Sequence, residues 1–149
     1  DKFIKSLGIK NISILSTEKE MHQDWSIQYK NCSTPLAMVN LLYKFYHGNI
    51  LSEKNRDFLL DIMALDLYNS KRIKGELPNM TIVAHKTGTS GKNDKGITAA
   101  TNDVGIVTLP NGNQFGIVVF VSDSPDNDKT RDKLIASITK IVWEFYNGK

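Results

Sequence analysis

Two long runs of strand-forming residues, 97–109 and 114–122, meet at Pro110-Asn111-Gly112-Asn113, and this junction constrains the fold most. A glycine-bearing turn between two β-rich runs closes a hairpin, so the C-terminal half is built on an antiparallel sheet. A third β-rich run lies at 81–84. Beyond the hairpin the apolar period becomes helical: Leu134, Ile135, Ile138, Ile141, Val142 and Phe145 form one stripe, in a helix reaching about Tyr146. Asp126 or Asp128 is its expected cap.

The first half reads differently. Phe3, Ile4 and Leu7 fit a helix stopped at Gly8. Thr34-Pro35 opens another, with a capping hydroxyl before proline at the first helical position. Its expected apolar face is Leu36, Val39, Leu42 and Tyr43, and Gly48 ends it. Ser52 caps a further helix to about Leu65, with Phe58, Leu59, Ile62 and Met63 inward. Residues 70–75 suit one short helical turn. Helices, then an antiparallel sheet, then a helix packed on it, define an α+β fold. Residues 9–33 lack either period, and so long an irregular stretch in a compact domain is usually a functional loop.

Composition removes several functions. The 149 residues are 40% hydrophobic, enough for a true core. A net charge of +3 comes from scattered lysines, not the massed patch a nucleic acid requires. The longest apolar runs, such as 115–121, are far too short to cross a membrane. One cysteine and three histidines show no metal-ligand spacing and allow no internal disulfide. No metal or cofactor is expected. The chain opens Asp1-Lys2-Phe3, without methionine or a visible signal peptide, as a processed or a cut protein would.

Chemistry concentrates in His85-Lys86-Thr87-Gly88-Thr89-Ser90-Gly91, at the end of an expected strand. Lys-Thr-Gly in this setting is one of the elements of penicillin-recognising serine enzymes. With the following GITAATNDVGIVTLP, the chain resembles class A serine β-lactamases of the extended-spectrum, cephalosporin-hydrolysing branch, over essentially its whole length. The resemblance makes 9–33 their Ω loop. It divides the chain into 1–75, part of an all-helical subdomain, and 76–149, the C-terminal part of an α/β subdomain.

The resemblance also implies roles. Lys86 supplies positive charge near the substrate carboxylate, and Thr87 and Thr89 offer it hydroxyls, with Ser90 in the same binding set. Gly88 lets the strand approach the acyl group. The Thr89 N–H is an oxyanion donor. Arg72 supports carboxylate binding. Glu18 activates the water for deacylation. His22 replaces the family's usual asparagine and either orients that water or lines the cleft. Ser16 and Asn31 stand where the loop's usual arginine–aspartate bridge would be, so Asn31 and nearby backbone are expected to take over the tie.

Two Ser-x-x-Lys matches are discounted. Ser16 to Lys19 is in the irregular loop, and Ser137 to Lys140 lies off the apolar stripe of the last helix. Ser122-Asp123-Ser124, an imitation of Ser-Asp-Asn, ends a strand. The nucleophile is therefore expected upstream of Asp1, and the chain alone inactive. His85 is expected to pack or hydrogen-bond beside Lys86, and Trp143, opposite the apolar stripe, to be a lone surface aromatic or else a contact to the missing segment. The expected activity is β-lactam hydrolysis through an acyl-serine, in the periplasm or secreted. The expected partners are a β-lactam substrate and the missing N-terminal segment. The alternatives are a penicillin-binding transpeptidase, which needs no Glu18, or a non-catalytic binding fragment.

Overall fold

The computed structural model describes residues 1–48, 50–65 and 70–148. A short helix α1 (Lys2–Ser6) ends at Gly8, whose φ of 72° only glycine adopts without strain. Then come β1 (Ile12–Ser13), α2 (Glu18–Met21), a 3₁₀ turn (Trp25–Lys30) and β2 (Cys32–Ser33). Helices α3 (Pro35–His47) and α4 (Glu53–Ala64) follow, capped by Thr34 and Ser52 as their sequences require. The second half is β3 (Val83–Thr89), β4 (Thr98–Thr108), β5 (Gln114–Ser124) and α5 (Asp128–Asn147). The architecture is α+β.

The three long strands form an antiparallel sheet in the order β3-β4-β5. The hairpin closes as its sequence dictates: the Leu109 N–H donates to the Asn113 carbonyl, the Leu109 carbonyl accepts from the Gly112 N–H, and Gly112 takes φ 84°. Residues 70–77 make bends and turns, not a helix. They deliver Ile73 and Leu77 to a core with Val83, Val107, Ile117, Val119 and Ile135. Each fully buried aliphatic side chain there contributes roughly 1.5–3 kcal/mol. Helix α5 lies against β4 and β5, α3 against the same two strands, and α4 against β3.

The helix faces depart from expectation. Asn127, not Asp126 or Asp128, caps α5 through the Thr130 N–H. The buried side of α5 is Arg131, Ile135, Ala136 and Thr139, with Val142 and Trp143 packed against the core. Trp143 is therefore no lone surface aromatic. Leu134, Ile138, Ile141 and Phe145 are 50, 37, 67 and 57% exposed. The cause is Arg131, 1% exposed, which turns inward to give its Nε proton to Thr101 Oγ1 at 2.7 Å and to bind the Asp126 carbonyl and Asp128. That rotates the helix away from its most apolar line. On α3, Leu42 is buried but Leu36 and Tyr43 are exposed, and on α4 Phe58, Leu59 and Ile62 are exposed. Among the described residues these side chains stay largely open to solvent, with Tyr43 against the His47 ring.

Gly105 sits opposite His85 in the β3–β4 register. A Cβ there would lie 2.7 Å from the His85 Cβ and 2.8 Å from the Ala84 carbonyl. Gly105→Ala should therefore destabilise the protein by about 1–3 kcal/mol through overpacking, read as a lower urea midpoint at unchanged slope.

Candidate active site

Among the described residues strand β3 pairs on one side only, and its backbone direction follows from one bond. The Ser90 N–H donates inward to the Ala100 carbonyl at 2.9 Å. Hydrogen-bonded and non-bonded pairs alternate along an antiparallel ladder, so the N–H groups of Thr89 and Thr87 point out of the free edge. A Cβ built on Gly88 would meet nothing within 4 Å. The Lys86-Thr87-Gly88-Thr89 strand thus presents outward N–H groups beside open space. Lys86 is exposed, and its Nζ donates to the Thr87 carbonyl at 2.6 Å.

Arg72 binds this strand from behind. It is 8% exposed, and its guanidinium fans over four acceptors. Nε reaches Asp132 at 2.7 Å, and Nη1 reaches the carbonyls of Gly88 and Asn102 at 2.9 and 2.8 Å. Nη2 donates to Thr89 Oγ1 at 2.5 Å. Asp132 offsets the buried charge, as a buried guanidinium requires. A hydroxyl that accepts from an arginine turns its own proton elsewhere, so Thr89 is set to donate to an incoming acceptor. Ser90 is held by its backbone partner and by its Oγ, which accepts from the Ala100 N–H at 3.0 Å.

Loop 9–33 is more ordered than its sequence suggested. Strands β1 and β2 pair across its ends, Ile12 with Ser33 and Ser13 with Cys32. Asn31 closes it: Oδ1 accepts from the N–H groups of Leu15 and Ser16 at 2.8 and 2.9 Å, and Nδ2 donates to the Ser16 carbonyl at 2.8 Å. Asn31 does make the expected tie. Glu18 is the first residue of α2, exposed, directly after the cap Thr17. A reciprocal capping box joins Thr17 and Glu20, whose carboxyl is lowered below its ordinary range by bonds from the Thr17 N–H and hydroxyl. Asp24 is lowered likewise by Ser26. His22 follows α2 as its C-cap and is exposed. Tyr29 reaches out of the loop to Asp123 at the end of β5, at 2.5 Å.

The structure gathers Arg72, Gly88 and Thr89 at one edge of the sheet. Glu18 and His22 share α2 and its cap. Two surface hollows, of about 470 and 390 Å³, are lined by residues such as Leu109, Phe115 and Tyr146, and Gly8, Ile9 and Ala37; neither is lined by Glu18 or Lys86. Among the described residues no His, Cys, Asp or Glu cluster could hold a metal ion. Ser137 bonds weakly to Glu76 on α5's flank at 3.3 Å. Sequence reasoning missed Asp132 and Asp103. Asp103 carried a signal, being a carboxylate inside an 11-residue strand, where a buried charge demands partners.

The family model for the beta-lactamase enzyme family matches residues 1–146. The chain belongs to that family. Within it the similarity is to class A enzymes. The chain is 48% identical over 150 residues to beta-lactamase VEB-1 of Pseudomonas aeruginosa, covering 99% of this chain and 50% of that protein. To the extended-spectrum beta-lactamase PER-1 of the same organism it is 39% identical, covering 96% and 46%. The crystal structure of the TLA-3 extended-spectrum beta-lactamase superposes with a TM-score of 0.95 at 55% identity, over 98% of this chain and 53% of that one. An acyl-enzyme complex of PBP-A with penicillin G gives 0.78 at 27%, over 99% and 50%. The chain spans about half the length of the curated relatives it matches.

Two outcomes test the loop. Asn31→Ala removes its bonds to Leu15, Ser16 and Met21 and should speed proteolytic nicking within residues 16–31 about tenfold, a loss of local stability, while cleavage elsewhere stays constant. The Tyr29 phenol is raised above its ordinary value, first by its bond to Asp123 and then by desolvation. The folded state thus favours the protonated phenol, so the tether holds in full below about pH 10 and is lost as pH rises further. Phenolate absorbance should show one tyrosine titrating late, and Tyr29→Phe should abolish that late step.

Proposed function

We propose that the protein of which this chain is part hydrolyses the β-lactam ring of penicillins and cephalosporins through an acyl-serine intermediate, and so confers resistance. The observation that carries this reading is the Arg72 fan behind Gly88 and Thr89, on a strand whose N–H groups face an open edge. Thr89, accepting from Arg72, gives its hydroxyl proton to the substrate carboxylate; Thr87, Ser90 and the Lys86 charge complete that subsite. The outward Thr89 N–H donates to the developing oxyanion, where one such donor is worth about 10²–10³ in turnover. Gly88 leaves room for the acyl group. The serine is supplied by the half of the relatives' length that this chain does not span.

Glu18 is the base that activates water against the acyl-enzyme. The capping box fixes its backbone, and Asn31 closes residues 9–33 as an Ω loop beneath the cleft, with His22 beside the water. Residues 1–75 belong to the helical subdomain and 76–149 to the α/β one. The upstream half also has surfaces to cover: the outer edge of β5, which pairs on one side only among the described residues, and the apolar line Leu134, Ile138, Ile141 and Phe145 on α5. An uncovered edge and stripe of this size would aggregate. No described helix is long and apolar enough to cross a membrane. The protein acts in the periplasm or outside the cell, where β-lactams meet cell-wall synthesis. A transpeptidase reading is favoured only by the PBP-A likeness, which is lower in both TM-score and identity, and it gives Glu18 nothing to do.

In the intact protein, Glu18→Gln should accumulate the acyl-enzyme on a chromogenic cephalosporin, with turnover falling about 10²–10⁴-fold. Mass spectrometry of the quenched reaction reads the adduct. Unchanged steady-state turnover would remove Glu18 from the base role.

A further inference from the structure

Behind the active edge lies a buried carboxylate that no step above uses. Asp103, in the middle of β4, is 0% exposed. Both its oxygens face the His85 Nδ1, at 3.0 and 2.9 Å, and Oδ2 also accepts from the Ile73 backbone N–H at 3.0 Å. The register explains the reach: His85 is opposite Gly105 and Thr87 opposite Asp103. With no side chain on Gly105, the imidazole leans diagonally to Asp103.

The two donors belong to the two segments that make the carboxylate subsite. His85 immediately precedes Lys86 on β3. Ile73 immediately follows Arg72 in the turn that carries the guanidinium. Arg72 itself also meets β3 and β4, contacts that an incoming carboxylate would compete for, and Ile73 shares the core with Val83 of β3. Resting on the hydrolase reading above, the geometry points to Asp103 as a positioning residue for substrate binding: by gripping His85 and the Ile73 main chain together, it sets the Arg72 guanidinium in register with the Lys86-to-Thr89 strand. It touches no substrate. It acts through Arg72.

Asp103→Asn tests this with almost no change of volume: one oxygen remains to accept from the Ile73 N–H, while an NH2 facing His85 Nδ1 replaces the charge-assisted carboxylate bond. The experiment is a double-mutant cycle on the intact protein, with steady-state kinetics on a chromogenic cephalosporin for wild type, D103N, R72A and D103N/R72A. The expected result is a KM raised about tenfold in D103N with kcat within about twofold, and a double variant no worse than R72A within about twofold, because the two residues act as one unit.

A merely structural Asp103 would instead lower kcat and multiply with R72A, and that result overturns the proposal. So does a KM in D103N equal to wild type while R72A is impaired. If R72A itself binds substrate normally, the carboxylate assignment to Arg72 fails first, and this inference with it. Should D103N not fold, His85→Gln run through the same cycle decides. It keeps the Ile73 bond but releases β3, so a KM raised about threefold and absorbed by R72A supports the grip, and an effect multiplying with R72A refutes it.

Discussion

The guanidinium of Arg72 is the interaction on which the site depends. A single planar cation ties together the turn that carries it, the end of β3, the middle of β4, and the first turns of α5 through Asp132. A lysine could not substitute, since a compact ammonium has no fixed fork to span acceptors on three elements. The arrangement also polarises Thr89, converting a strand hydroxyl into a donor of fixed direction. Structure and chemistry are served by the same bonds here.

A second arginine does for α5 what Arg72 does for the edge of β3. Arg131 anchors α5 to Thr101 and to the carbonyl and carboxylate that begin the helix. Both cations are buried, both face β4, and both lie on the side of the sheet where α5 packs. Polar anchoring of this sort explains why α5 does not present its most apolar line to the core. The helix docks by hydrogen bonds first and leaves Leu134, Ile138, Ile141 and Phe145 outward.

Local signals were legible in the sequence wherever backbone chemistry fixed the answer. Pro110 to Asn113 specified the hairpin, Thr34-Pro35 and Ser52 specified helix starts, and the Lys86-Thr87-Gly88 segment was placed correctly on a strand. The orientation of α5 was not legible, because periodicity weighs apolar residues and is blind to an arginine that buries itself against partners from other strands. The faces of α3 and α4 misled as well: Phe58, Ile62 and Tyr43 fit a helical period yet stay exposed. Loop 9–33 looked irregular because its order comes from side chains bonding to backbone, at Asn31, Thr17 and Asp24, and not from a period. Asp103 and Asp132 were ordinary acidic residues until the fold showed what faced them.

The closure of that loop by Asn31 has a physical consequence of its own. An arginine–aspartate bridge is a pair of full charges, weakened by mobile ions and by protonation of its acid. The Asn31 amide is neutral. Its bonds are short-ranged dipole contacts that neither titrate in the physiological range nor feel a Debye atmosphere. The Asn31 closure around Glu18 is thus indifferent to ionic strength and acidity, whereas the Glu20 capping box inside it lets go as its carboxyl is protonated.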